Sequence, residues 1–445
     1  MSIKSLISFG VTDPLVGKIR VPGDKSISHR AVILCAMAIG QSSIEGLLES
    51  DDVLRTIIAM RALGIEIIRI DNGYWILFGR GIGGLSEPDD VINLGNSGTG
   101  ARLLMGLLAS YNFTTMITGD DSLRLRPMRR VIEPLGFIGC EFICHSDDKM
   151  PLSVIGTALP IPITYELQVS SAQVKSAILL AGLNIPGITT VIENVQTRDH
   201  TEIMLKSFGA KLLIELLPNK KRKISIVGQP ELKSRVIKIP GDPSSAAFLV
   251  AACLLIDGSE IKIVDVGNNS LRSGFYQTLI EMGACINFSG TRFEIGEPIA
   301  DLMVRNTSML SGVDISHERA PTMIDEYPIL AIIAAFANGT TRMRGLSELR
   351  VKESDRLIAI VKGLDAVGVK SEIEKDDLII YGTSGFVRGG ATIKVNLDHR
   401  IAMSFLIMGM ASQQPIRIDD ASTINTSFPN FVKLMNELGA KISED

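Results

Sequence analysis

Hydrophobic and polar residues recur along this chain in two patterns. In the first, an apolar helical stretch ends in glycine and runs on into a strand, as in Arg61-Ala62-Leu63-Gly64-Ile65-Glu66-Ile67. Further copies reach their glycine at Gly136, Gly209, Gly283, Gly368 and Gly439. Glycine there supplies the left-handed residue that closes a helix, and the apolar-rich segment after it reads as a strand. The repetition predicts six related units at intervals of about 70–85 residues. In the second pattern the helices are apolar nearly all round, over 31–39, 172–180, 246–256, 329–337 and 401–410. Such helices have no face for water and are expected at the centre of a domain.

A larger duplication overlies the small one. Val21-Pro22-Gly23-Asp24-Lys25-Ser26 is echoed by Ile239-Pro240-Gly241-Asp242-Pro243-Ser244, and each precedes an apolar helix. Taken as two strands crossing between domains, these segments divide the chain into 22–240 and 1–21 plus 241–445, with the crossing as a natural hinge. A length of 445 residues agrees, because single cores stop growing well below that size.

Composition narrows the class. The chain is 46% hydrophobic and 21% charged, which suits an ordered globular protein. With 45 basic against 49 acidic residues the net charge is −4 and no block of like charge stands out, so a nucleic-acid partner is disfavoured. Any bound anion must meet positive charge concentrated locally. Five cysteines without paired spacing read as reduced thiols of a cytoplasmic protein, and Cys140, Cys144 and His145 lack a fourth metal ligand. No apolar run approaches the roughly 20 residues of a membrane span, and no cleavable leader is evident, so a soluble, unexported protein is expected.

The candidate chemistry lies at helix starts. Gly23-Asp24-Lys25-Ser26-Ile27-Ser28-His29-Arg30 leads from a strand into a helix with Ser26 as the expected N-cap, where free backbone N–H groups and two cations favour a small anion. Gly95-Asn96-Ser97-Gly98-Thr99-Gly100 is a glycine-rich turn lacking the endings that mark ATP or NAD sites; it suits close approach of a ligand or tight helix packing. Around Pro127, either Arg124 or Arg126 can present a guanidinium fork to a carboxylate or phosphate. Ser171 and Gln173 open another buried helix, as caps or as hydrogen-bonding ligands. In Lys352-Glu353-Ser354-Asp355-Arg356, a helix would put Lys352 and Arg356 on one face, costing about 0.2–0.5 kcal/mol unless an anion lies between them. Glu353 among these cations is either an ion-pair partner or a positioned acid. Asp325-Glu326-Tyr327-Pro328 and Asp398-His399-Arg400 bring charge to the mouths of two more apolar helices.

Together and in this order these segments resemble the EPSP synthase family, the 3-phosphoshikimate 1-carboxyvinyltransferases, over essentially the whole chain. The resemblance implies an α/β fold of two similar domains, each of three βαβαββ units with buried parallel helices, the inside-out barrel of enolpyruvyl transferases, closing on substrate. It implies transfer of the enolpyruvyl group of phosphoenolpyruvate to the 5-hydroxyl of shikimate 3-phosphate, with no cofactor and no metal. By the same resemblance Lys25, Ser26, Arg30, Ser171, Ala172, Gln173, Arg198, Asp325 and Lys352 contact shikimate 3-phosphate. Lys25, Asn96, Gly98, Arg126, Gln173, Arg356 and Arg400 form the phosphoenolpyruvate site. Glu353 fits the acid that protonates the methylene carbon, Asp325 the base for the 5-hydroxyl, and Lys25 reaches both substrates. A monomer in the cytoplasm, with no nucleic-acid or membrane partner, is expected.

Ser171-Ala172 and Thr426, which stands where the family commonly has lysine, resemble a subgroup associated with glyphosate tolerance. Gly98 leaves room for that inhibitor, so sensitivity is expected. The sister transferase acting on UDP-N-acetylglucosamine generally depends on a cysteine near the place held here by Asp121, and the related RNA 3'-phosphate cyclase would need nucleotide and RNA sites not evident in this net-acidic chain.

Overall fold

Apolar periodicity and glycine-terminated helices become, in the computed structural model, six four-stranded sheets and six buried helices; residues 5–307 and 309–445 are described. The chain divides into two units. The first comprises Gly23–Ile239 with Phe293–Glu297; the second comprises the chain up to Pro22, Pro240–Arg292 and Pro298–Asp445. Each has its own hydrophobic core.

At the centre of the first unit lie the helices Lys25–Met37, Gly98–Leu108 and Ala172–Gly182. Their small residues let the backbones approach: a methyl group on Gly106 would stand 2.3 Å from the carbonyl oxygen of Ala177. Pro243–Leu255, Tyr327–Phe336 and His399–Ala411 are the corresponding helices of the second unit. Every residue of Tyr327–Phe336 is buried, as an all-apolar helix requires.

Around each trio stand three sheets of one design, in which a parallel strand pair is continued by antiparallel strands. In the first unit Ile188–Glu193 pairs parallel with Thr164–Glu166 and antiparallel with Arg222–Val227, which pairs in turn with Leu212–Leu216. Other sheets are completed by distant chain. Val236–Lys238 pairs with Ile39–Glu45, and Leu6–Phe9 lies between Ile416–Ile418 and Lys441–Glu444.

Five of the six predicted glycines, Gly64, Gly209, Gly283, Gly368 and Gly439, follow a helix with positive φ. Gly136 does not. The helix Arg129–Ile138 runs through it and ends at Gly139, whose φ is 106°. The buried residues Val131, Pro134, Leu135 and Ile138 repeat at i, i+3, i+4 and i+7, and that continuous apolar face carries the helix past Gly136.

Candidate active site

The charged side chains singled out in the sequence gather in two clusters, one in each unit. In the first unit, Asp24 rather than Ser26 caps Lys25–Met37, accepting from the Ile27 N–H at 2.8 Å. Ser26 therefore sits in the first turn, where its carbonyl accepts from Arg30 Nη1 at 2.9 Å. Lys25 is half-buried and ion-paired with Asp52. Arg30 is buried, donating through Nε to Thr201 Oγ1 at 2.7 Å and through Nη2 to Ser176 Oγ at 2.8 Å. Burial lowers its pKa to about 10, so it is still a cation at neutral pH. His29 is fully buried with Nδ1 2.8 Å from Thr56 Oγ1; desolvation, then the neighbouring Lys25 and Arg30, push its pKa well below the usual imidazole range.

The glycine-rich turn belongs to the same cluster. Ser97 caps Gly98–Leu108 by accepting from the Gly100 N–H at 3.1 Å. Asn96 is clamped between Asp120, to which its amide donates at 2.8 Å, and Arg126, whose Nη2 donates to its oxygen at 2.7 Å. Of the two candidate forks, Arg126 is buried and Arg124 exposed. A methyl group at Gly98 would stand 2.8 Å from Nη1 of both Arg102 and Arg126, so glycine here lets two guanidinium groups converge on the start of the helix. Gln173 is held at both ends of its amide, accepting from Arg102 Nη1 at 3.0 Å and donating to Thr99 Oγ1 at 3.0 Å. Ser171 is the N-cap of Ala172–Gly182, and Ala172 is that helix's first residue. Arg198 lies half-buried in the segment before the helix His200–Ser207.

In the second unit Arg356 is the hub. Fully buried, it donates through Nε to Asp398 Oδ2 at 2.8 Å and through Nη2 to Glu353 Oε2 at 2.6 Å, while Nη1 stands 3.6 Å from Asp325 Oδ1. Burial works against its charge, but Asp398 and Glu353 outweigh burial and hold the guanidinium protonated far above the usual range. Its Nη1 makes no hydrogen bond among the described residues and has Asp325 as its ion-pair partner. Asp398 also caps His399–Ala411, accepting from the Arg400 N–H at 3.0 Å. The Arg400 side chain reaches the Asp325 carbonyl at 3.2 Å.

Lys352 and Arg356 do not share a helix face. The short 3-10 helix Ser347–Val351 ends at Lys352, whose backbone is extended, and Asp355 caps a new helix, Arg356–Ala366, accepting from the Ile358 N–H at 3.1 Å. A capping aspartate restarted the helix there. Burial lowers the pKa of the Lys352 ammonium, partly offset by Asp325. The sequence reading missed Asp52 and Arg102, which hold Lys25 and Gln173. Arg102 carried a signal, being the one charge in the helix Gly98–Leu108.

Six four-stranded sheets around two trios of buried helices, with cations and carboxylates at the helix starts, define an α/β protein built to hold small anions. The profile of the EPSP synthase (3-phosphoshikimate 1-carboxyvinyltransferase) family matches residues 11–435. A 3-phosphoshikimate 1-carboxyvinyltransferase of Paramagnetospirillum magneticum is 62% identical over 432 residues, 97% of each chain. One of Rhodospirillum rubrum is 54% identical, covering 97% of this chain and 96% of its own. Among solved structures, EPSP synthase from Acinetobacter baumannii superposes with a TM-score of 0.86 at 38% identity, covering 99% of this chain and 100% of its own. The enolpyruvyl transferase NikO from Streptomyces tendae shares the fold, with a TM-score of 0.77 at 18% identity over 100% of this chain and 99% of its own. The chain belongs to the EPSP synthase family.

Proposed function

We propose that this protein transfers the enolpyruvyl group of phosphoenolpyruvate to the 5-hydroxyl of shikimate 3-phosphate, releasing inorganic phosphate. The observation that carries the reading is full-length membership of the family in a chain that also holds both charge clusters, Lys25–Arg30–Arg126–Gln173 and Asp325–Lys352–Glu353–Arg356–Arg400. Each substrate bears a carboxylate and a phosphate. Two unit charges about 5 Å apart at an effective dielectric near 20 repel by roughly 3 kcal/mol, so only a cation-rich site holds both.

Ser26, Arg30, Ser171, Ala172, Gln173, Arg198, Asp325 and Lys352 are assigned to shikimate 3-phosphate. Lys25, Asn96, Gly98, Arg126, Gln173, Arg356 and Arg400 are assigned to phosphoenolpyruvate, with Lys25 serving both. In the addition, Asp325 takes the proton of the 5-hydroxyl as that oxygen bonds to C2, and Glu353 gives a proton to the methylene carbon. The tetrahedral intermediate then loses phosphate and a methyl proton to restore the double bond, and the surrounding cations stabilise the departing charge. The hydrogen bond from Arg356 Nη2 orients the Glu353 carboxylate.

The protein is further proposed to act as a cytoplasmic monomer without nucleic-acid or membrane partners. A net charge of −4 supports the former exclusion, and no described helix is long and apolar enough to cross a membrane. Purified protein mixed with both substrates under chelator is expected to release phosphate in step with loss of phosphoenolpyruvate. No release overturns the reading, and release that needs added magnesium overturns the metal-free mechanism.

A further inference from the structure

Lys175 is the one charged residue of the helix Ala172–Gly182, and it is fully buried. Its ammonium lies 3.0 Å from Glu193 Oε2 and 2.7 Å from Glu202 Oε1, both carboxylates being buried as well. Burial raises the pKa of Glu202, and Lys175 opposes that shift. Glu193 also meets Arg222 Nη1 at 3.5 Å.

Two of the three charges, Lys175 and Glu193, meet at Thr197. Lys175 Nζ donates to its carbonyl at 3.4 Å, while Glu193 Oε2 accepts from its hydroxyl at 2.9 Å and its N–H at 3.4 Å. Thr197 immediately precedes Arg198. One residue beyond Lys175, Ser176 Oγ lies 2.6 Å from Thr201 Oγ1, and both hydroxyls accept from Arg30. Two buried networks, adjoining at residues 175–176 and 201–202, thus link the helix that carries Ser26 and Arg30 and the helix capped by Ser171 to the segment that carries Arg198.

Stability alone gives a weak reason for such a triad. Apolar side chains of similar volume often serve a folded core as well as a buried ion pair or better, because desolvation cancels much of the attraction. A lysine sealed in a buried helix does one thing an apolar residue does not: it draws two carboxylates and a backbone carbonyl towards one point.

We infer that Lys175 is a positioning residue for the shikimate 3-phosphate subsite: by drawing Glu193 and Glu202 onto one ammonium it sets where Arg198 stands relative to Arg30, Ser171 and Gln173. It touches no substrate. The inference rests on the proposed function and deepens it.

Lys175→Met alone leaves two buried carboxylates facing each other and can fail to fold, so the deciding variant is Lys175→Met with Glu202→Gln, which leaves Glu193 its arginine partner. Calorimetric titration with shikimate 3-phosphate in the absence of phosphoenolpyruvate is expected to show affinity about 10- to 100-fold weaker than wild type, the usual effect of a small displacement, with kcat and the KM for phosphoenolpyruvate at saturating cosubstrate within about 3-fold. Unchanged affinity in the folded double variant overturns the positioning role, as does an equal change in both substrates' constants. Failure of the wild-type chain to bind shikimate 3-phosphate overturns the proposed function and this inference with it.

Discussion

Gly98 shows how much one missing methyl group can decide. Alanine there would press on the Nη1 atoms of Arg102 and Arg126, both within 2.8 Å of the added carbon. Flexible guanidinium groups can yield, but only by leaving the position that glycine allows. Crowding of this kind typically costs about 1–3 kcal/mol, so Gly98→Ala is expected to raise the KM for phosphoenolpyruvate by about 10-fold or more while binding of shikimate 3-phosphate alone changes little. Steady-state kinetics with each substrate varied would show it, and the same measurements with glyphosate test the expected sensitivity of the wild type. Glu353→Gln is expected to lower kcat by about 10²-fold, the lower range for losing a general acid or base, with smaller changes in KM. Survival of kcat with a loss of affinity would make Glu353 an orienting group. At this scale the gathering of charge was legible where it stood at a helix start, as with Lys25 and Arg400. Lys175 and Arg102 escaped because their roles come from distant segments, although a lone charge in an apolar helix is a sign that partners exist.

Helices and strands were legible to the extent that their determinants are local. An all-apolar stretch must be buried wherever it lies, so the central helices could be read directly, and glycine after a helix marked its end in five units of six. Gly136 misled because the apolar spacing from Val131 to Ile138 outweighed a glycine signal inside it. Lys352 and Arg356 misled in the opposite sense, since capping by Asp355 interrupted a helix that charge spacing alone would have continued. Sheet order was not legible, because partners such as Leu6–Phe9 and Lys441–Glu444 are separated by most of the chain. The helix Lys25–Met37 carries a pH dependence. His29 is neutral in the fold, its pKa held well below the ordinary 6.5, so below pH 6.5 the unfolded chain binds a proton that the folded chain does not. Its contribution to stability is therefore present above pH 6.5 and lost as pH falls towards the folded value, by up to about 1.4 kcal/mol per pH unit. Denaturant unfolding of wild type and His29→Asn between pH 5 and 7.5, a window of about one unit either side of an ordinary imidazole, is expected to give the shallower slope for the variant. Equal slopes would assign that proton elsewhere.

For the whole molecule, the governing fact is two hydrophobic cores, each drawn from its own unit. Chains with more than one core commonly depart from all-or-none unfolding. Scanning calorimetry of the substrate-free protein is expected to resolve into two components, with a calorimetric enthalpy above the van't Hoff value. Gly106→Ala, which drives a methyl group into the Ala177 backbone, should lower only one component, by about 1–3 kcal/mol. A shift of both together would show a single cooperative unit.

The strand Leu6–Phe9 also sets a timetable for synthesis. The two strands that flank it, Ile416–Ile418 and Lys441–Glu444, emerge from the ribosome some 400 residues after it. The sheet cannot close during that interval, and an apolar segment must wait with its edges unpaired. Folding of the second unit is thus tied to the synthesis of those two strands, and a holding chaperone would be of most use to this chain before they appear.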